Sequence, residues 1–342
     1  MADVTINQRF NGEFKVIIKH FIKDGYELQE PVVQDGVTWE TDRQGAPGKL
    51  TFKVYKDASG NLNFQEGDEV ELIFKESTSN IVPVFNGFIF EKKRNKDNWI
   101  EVTAYDLLRY LKNKDTYVYT NKKASDVVKM VADDYDLMTG EIVTTNYVIG
   151  SRVEDNQSLF DIIQNALDLT LISTNKMYVL YADKCKIHLK DINDLKTNVI
   201  ITREVAEDFD YTSSIDEDTY NEVELYYDND ETNKREYYNE SDKSNQSKWG
   251  PLRYVESIDS PTNAKERAKQ MLKLYNRKTR KLKINGAFGD YHCRAGASVI
   301  VQLYLGDISV SNYMLIEKAK HTFSSGEYRM DLTLSGNVEF TA

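Results

Sequence analysis

Few residues in this chain are spaced for chemistry. Its four histidines, His20, His188, His292 and His321, are scattered, and no CxxC, HxxxH or HExxH pattern brings metal ligands together. His292 beside Cys293 would point to opposite faces of a strand, which argues against a shared metal. No G-x-S-x-G elbow occurs, and neither Cys185 nor Cys293 lies in a recognisable nucleophile setting. The segment 45–49 (GAPGK) has two residues between its glycines and Leu50 after its lysine. A phosphate loop needs four residues there and then Ser or Thr, so this one reads as a turn. Residues 286–289 (GAFG) lack dinucleotide-binding spacing and a βαβ setting. Three acidic runs, Asp133-Asp134, Glu207-Asp208-Asp210 and Asp216-Glu217-Asp218, hold groups that glycoside cleavage would use as acid and base. Adjacent acids in polar stretches are usually solvated surface. The expectation is therefore no catalytic, cofactor-binding or metal-ligating residue and no enzymatic activity. A cell-wall glycan hydrolase or glycan-binding module stands as the alternative.

Charge and composition narrow the classes further. With 44 Lys+Arg against 55 Asp+Glu, the formal charge is −11, which disfavours a surface built to neutralise phosphate or coat an anionic membrane. The longest apolar run, 177–182 (MYVLYA), is far shorter than the roughly 18–20 residues of a membrane span. The first residues, MADVTINQRF, lack the pattern of a signal peptide, and two cysteines suggest a reducing compartment with no disulfide framework. The 22 Tyr and 14 Phe, against only 5 Pro, supply material for real cores.

What must position any functional surface is mostly β. Segments 14–21, 49–55, 69–74, 84–90 and 99–104 are short, rich in β-branched and aromatic residues, and separated by turn clusters. The middle changes period. Ala124, Val127, Val128, Val131 and Tyr135 recur at helical spacing, as do Leu159, Ile162, Ile163, Ala166 and Leu167, with Asp155 or Asn156 available as a cap. A hairpin of 177–182 with 186–191 follows. Strands return at 222–227, 281–284, 298–304, 313–317 and 328–334, around a helix for which Ser260 offers a cap and Pro261 a first residue. The polar stretch 228–248 reads as a solvated excursion with short strand pieces near 235–238, or as a binding loop. Nine basic residues against one acid fill 265–283, either as a solvated face or as a contact for an acidic partner, such as another copy of this chain.

An internal repeat is the most informative feature. Gly67-Asp68-Glu69-Val70-Glu71-Leu72 parallels Gly296-Ala297-Ser298-Val299-Ile300-Val301, and Phe88-Ile89-Phe90-Glu91-Lys92 parallels Met314-Leu315-Ile316-Glu317-Lys318. Each pair leads through a turn to a last strand, at 99–104 and at 328–334. The fold class expected is α+β, mainly β. Two related β-barrel domains, 1–110 and 206–342, flank an α+β module at 111–205, and a helix at 261–279 interrupts the second barrel.

Segments 39–52 (WETDRQGAPGKLTF), 64–72 (FQEGDEVEL), 85–92 (FNGFIFEK) and 102–119 (VTAYDLLRYLKNKDTYVY) resemble the PBSX-type phage tail hub family, which is related to late control protein D and contractile-tail baseplate hubs. So do 158–171 (SLFDIIQNALDLTL), 296–303 (GASVIVQL) and the stretch 321–336. The resemblance spans nearly the whole chain. It implies a structural baseplate hub of a phage tail, defective prophage or bacteriocin particle, assembled in the bacterial cytoplasm and without cofactors. It also implies a homotrimer in which two barrels per chain adapt a sixfold tail tube to a threefold spike, since 2 × 3 = 6 docking surfaces. DNA would at most pass through the channel unbound. Acidic residues are then expected to dominate the channel wall, and the run 265–283 to face away from it.

Overall fold

Alternation along the strands sets the architecture. In 49–55, Leu50, Phe52 and Val54 are buried while Lys53 and Tyr55 are exposed, and the same two-residue period recurs through most strands of the chain. We describe a computed structural model over residues 13–55, 62–75, 81–258, 260–304 and 309–336. The first third forms β1 (Glu13–Ile22), β2 (Gly25–Gln29), β3 (Val37–Asp42), β4 (Lys49–Tyr55), β5 (Glu69–Lys75), β6 (Ile81–Arg94) and β7 (Trp99–Tyr105). The middle forms β8 (Lys114–Lys123), α1 (Ala124–Asp134), β9 (Thr139–Ile142), β10 (Val148–Ser158), α2 (Leu159–Thr174), β11 (Tyr178–Asp183) and β12 (Lys186–Asp191). The last part begins with β13 (Lys196–Ile201), β14 (Asp208–Ser214), β15 (Glu222–Asn229), β16 (Lys234–Ser241), α3 (Lys243–Trp249) and β17 (Arg253–Ser257). It ends with α4 (Ala264–Tyr275), β18 (Thr279–Phe288), β19 (Ser298–Tyr304), β20 (Ser309–Ser324) and β21 (Glu327–Ser335).

The α+β, mainly-β class holds, with strands of both halves joined in one 13-stranded sheet. Its main path runs β14-β18-β21-β20-β3-β4-β7-β6-β5-β1-β2, and β19 and β13 branch from β20. The expected barrels are therefore not separate: β20 of the second half pairs antiparallel with β3 of the first, from Lys318 opposite Asp42 to Phe323 opposite Val37.

The repeat is written in hydrogen bonds. Gly67 N–H donates to Ile89 O (2.8 Å) and Ile89 N–H to Asp68 O (2.9 Å); Gly296 N–H donates to Ile316 O and Ile316 N–H to Ala297 O, both at 2.8 Å. Both glycines have positive φ, +93° and +88°, a region that costs a side chain energy. The register slips by one residue just after Ile89 and again just after Ile316, so a bulge bends each copy at the same place. Beyond it, Glu91 lies opposite Thr103 and Lys318 opposite Thr333. Phe88 thus matches Leu315, one residue later than the match to Met314 read from the sequence. The correspondence extends outward: β3-β4-β7-β6-β5-β1 in one half has the order β14-β18-β21-β20-β19-β13 in the other. The copies differ at the end, where β1 runs antiparallel to β5 but β13 runs parallel to β19.

Several expectations need correction. The alternation pattern did not single out β2 or β3. Residues 196–201, expected in the middle module, supply β13 of the long sheet. The strand 222–227 belongs to a separate three-stranded sheet, β16-β15-β17, whose Val223 and Leu225 pack with Ala264, Ala268 and Met271 of α4 in a core of their own. That sheet also turns part of the polar stretch 228–248 into a full strand, β16, followed by α3. Helix α4 starts at Ala264, with Asn263 as its left-handed N-cap (φ +60°), because Ser260 Oγ instead accepts from the nearby Thr262 N–H (3.2 Å). Helix α2 is capped by Ser158, whose Oγ accepts from Asp161 N–H (3.1 Å). Neither Asp155 nor Asn156 can do this, since β10 runs on to Ser158 through a bulge between Glu154 and Gln157. The middle module otherwise follows its pattern: Val127, Val128 and Val131 of α1 meet Ile162, Ile163 and Ala166 of α2 in one core.

The two turn glycines separate strain from space. A Cβ on Gly67 would meet nothing within 4 Å, whereas one on Gly296 would lie 2.3 Å from Val179 Cγ1. Gly67→Ala should cost about 1–2 kcal/mol through backbone strain alone. Gly296→Ala should cost distinctly more, because Val179 of the buried β11 must also move. Equal losses in urea unfolding of the two variants would refute this account of the repeat's two turns.

Candidate assembly surface

The residues with chemical potential lie apart. Among the described residues no group of three or more His, Cys, Asp or Glu could hold a metal ion. His292 and Cys293 sit in a turn, not a strand, yet still diverge: His292 is exposed and bonded to Asp290 (2.9 Å), while Cys293 is fully buried. Cys185 lies in the β11–β12 turn with its thiol against Asn86 Oδ1, and burial pushes its pKa up to about 11, away from thiolate chemistry. His20 is buried against Asp68 (2.7 Å), and His188 stacks on Tyr181 while its Nδ1 accepts from Glu141 N–H (3.1 Å). The GAPGK segment is the β3–β4 turn, and Gly48 N–H there donates to the buried Asp106 carboxylate (2.9 Å). Residues 286–289 carry a bulge at the end of β18, where Gly286 N–H donates to Asp331 (2.9 Å).

The acidic runs also separate. Asp134, at the end of α1, accepts from Tyr117 OH (2.7 Å); Glu207 faces Arg329 (3.5 Å); Glu217, past the end of β14, pairs with Lys281 (3.0 Å). Each of these contacts ties its carboxylate to a different tyrosine or basic side chain. The basic run divides too. Arg267 of α4 pairs with Glu256 (2.7 Å), whereas Lys281 and Lys283 belong to β18 in the long sheet. It is not one surface.

What the fold does assemble is a continuous polar sheet face crossing the seam between halves. Glu40 and Lys49 pair across β3–β4 (3.3 Å), Lys53 and Glu101 across β4–β7 (3.8 Å), and Lys318 and Asp42 across the seam itself (2.7 Å). Arg43 and Glu317 form a further seam pair (2.6 Å). A cleft of about 490 Å³ opens over the seam, lined by Lys49, Lys283, Lys318 and Lys320 with Glu40 and Asp42 among others.

On the opposite face the seam is apolar and tightly satisfied. Phe323 and Tyr328, from the second half, enter the first half's core beside Phe74, with ring centroids 5.9 and 5.0 Å away. His321 stacks on Trp39 (4.8 Å), its Nε2 lies 3.1 Å from Cys293 O, and Tyr328 OH lies 2.9 Å from its Nδ1. Neutral imidazole fits this setting, with Nε2–H donating to the carbonyl and Nδ1 accepting from the phenol. Burial lowers the His321 pKa to about 4. A second buried knot joins all three parts of the chain. Asp106 accepts from Gly48 and Leu108 N–H, while Arg294 donates to Ala182 O (3.0 Å) and stacks on Tyr181 (4.3 Å). Burial pushes Asp106 up to about 7, against the pull of Arg294 and the two N–H donors. Sequence reasoning missed both knots, since their members are far apart in the chain.

The fold is a long sheet, duplicated and joined edge to edge, with one continuous polar face across the seam. The YQBQ-like family model matches residues 37–335, and the chain belongs to that family. It is 32% identical to YqbQ of Bacillus subtilis (strain 168) over 88% of this chain and 91% of that protein. It is 27% identical to the phage-like element PBSX protein XkdQ of the same organism, over 91% and 94%. In structure it is similar to the 43 kDa tail protein of prophage MuSo2 from Shewanella oneidensis. That match has a TM-score of 0.67 at 9% identity, covering 94% of this chain and 98% of that one. These relatives support a PBSX-type phage tail family, as the resemblance implied.

The buried histidine gives the seam a pH signature. Its folded pKa lies below the unfolded value near 6.5, so its contribution to stability is complete above that value and is lost as pH falls toward 4. The loss should reach about 3 kcal/mol. Asp106, shifted upward, acts in the opposite sense over part of the same range, so the readout is the difference between wild type and His321→Gln. Urea stability of the variant should fall less between pH 6.5 and 4.5 than that of the wild type. Parallel curves would show that His321 does not titrate with unfolding.

Proposed function

We propose that this chain is a structural hub of a phage tail or tail-like particle, acting as a trimeric ring that adapts a sixfold tail tube to a threefold spike. The observation that carries it is the duplicated unit. Two copies of one strand order, each with the same glycine turn and the same bulge, already lie side by side in a single chain. Three such chains present six similar surfaces, while features found once per chain recur three times. Membership of a phage tail family supports this reading, as does the scatter of the candidate catalytic groups. Domain limits near 110 and 206 stand in this reading as approximate borders between the repeated parts and the middle module.

In such a ring we assign the polar sheet face to the channel. Its charges alternate in sign across neighbouring strands, with Lys49 beside Glu40 and Lys53 beside Glu101, so the wall is mixed and self-screened. This revises the expectation of an acid-dominated wall, because Lys281 and Lys283 of the basic run lie on the same sheet. Passing DNA then meets neither a cationic track nor a strong repelling field.

The test is stoichiometry. Native mass measurement of the full chain at high protein concentration, or of the hub level in purified particles, should give three copies. Two or six copies at that level would sink the symmetry argument. A chain that stays monomeric in solution and is also absent from particles would sink the hub reading altogether.

A further inference from the structure

The duplication leaves two matching strand edges with no partner among the described residues. At one end of the long sheet, β14 pairs with β18, and no other described strand joins it. In the first half, the segment of β6 past its bulge, 91–94, pairs with β7 on one side, and no described strand pairs with its other edge. These are the counterparts of the two edges that meet at the internal seam. The bulge matches Glu91 to Lys318, and the cross-strand registers match Lys49 to Lys281 and therefore Trp39 to Tyr211. In the seam, the segment of β20 past the same bulge is paired with β3.

We infer that the free edge of β6 past its bulge pairs antiparallel with β14 of a second copy of this chain, in the register of the internal seam. This rests on the ring proposed above and adds its joint. The seam's pairs Lys318–Asp42, Lys320–Glu40, His321–Trp39 and Thr322–Thr38 become Glu91–Ser214, Lys93–Thr212, Arg94–Tyr211 and Asn95–Asp210.

Charge supports that occupant. Across the seam, β20 brings Lys318 and Lys320 to the Asp42 and Glu40 of β3. The free edge of β6 ends in the basic stretch 92–96 (KKRNK), and β14 carries Asp208 and Asp210, both exposed. The polarity is the same at both joints: basic strand against acidic strand. In the inferred register Lys93 lies diagonal to Asp210 on one face, within reach of a long side chain. Arg94 is set opposite Tyr211. An open strand edge exposes backbone donors and acceptors that pairing would satisfy, which gives the joint a driving force beyond its charges.

Disulfide trapping of the full chain tests the register. In a Cys185→Ser background, Lys93→Cys with Thr212→Cys should give a ladder of covalent multimers on mild oxidation at high protein concentration. Lys93→Cys with Ser213→Cys should give little, because Ser213 faces the other side of the strand. A ladder that closes at three supports joint and ring together. A ladder from the first pair that closes at another number keeps the joint and removes the threefold ring. Trimers by mass with no difference between the two cysteine pairs overturn the joint and leave the ring standing. As a second measure free of cysteine geometry, Asp210→Lys should weaken self-association at least about fivefold, and adding Lys93→Asp should restore most of it. No weakening, or no restoration by the second change, also counts against the joint.

Discussion

Edge pairing between β20 and β3 is the constraint on which the rest of the structure depends. A strand edge is a row of unmet hydrogen-bond donors and acceptors, and a sheet this long cannot leave many of them buried. Joining the halves along Lys318–Phe323 satisfies those groups. It also carries Phe323 into the first half's core, so the first half does not complete its apolar interior alone. The polar groups trapped by that union are met locally. His321 has a partner on each ring nitrogen, and Ala295 N–H donates to Thr41 Oγ1 across the seam (2.9 Å). The ion pairs on the solvent side, Lys318–Asp42 and Arg43–Glu317, add alignment more than stability, since partly exposed pairs contribute roughly 0–1 kcal/mol each.

The repeat shows which physical features a duplicated sheet retains. The two copies keep the positive-φ glycine that starts the central hairpin and the bulge that bends it, both of which are backbone geometry. Side-chain identity drifts around them, with Trp39 matched to Tyr211 and Glu91 to Lys318. Even strand direction changes at the far end, where β13 replaces β1 with reversed polarity. A parallel partner needs a long crossover connection, and residues 202–297, which carry β14 to β18, lie between β13 and β19.

Much of this was legible in the residues. The glycine-led hairpins, the two middle helices and the β11–β12 turn follow from periodicity and turn chemistry alone. The one-residue slip in the repeat was not, because a bulge adds a residue without marking the sequence; Phe90 and Glu317 share no property that signals it. Ser158 was missed as a cap because the acidic Asp155 and the Asn156 just upstream advertise the same role, and only the extent of β10 decides among them. The strand 222–227 alternates as a barrel strand would, and its assignment to a separate sheet rests on packing against α4, which alternation cannot report. Of the surface, the seam joins residues about 280 positions apart and has no local signature.

Differences between the halves then carry as much meaning as their likeness. In the proposed ring, a partner with sixfold symmetry can use only what both copies present: the paired hairpins, their bulges and the polar sheet face. The return strand β2, the middle module and the β15–β17 unit with α4 occur once per chain, so they stand at every second position around the ring. A threefold partner can grip those features with no conflict, and a sixfold partner must avoid them. Symmetry adaptation in this reading needs no moving part. It follows from adding unequal elements to two equal sheets, and the sheets remain equal because backbone constraints at Gly67 and Gly296 fix the same hairpin twice.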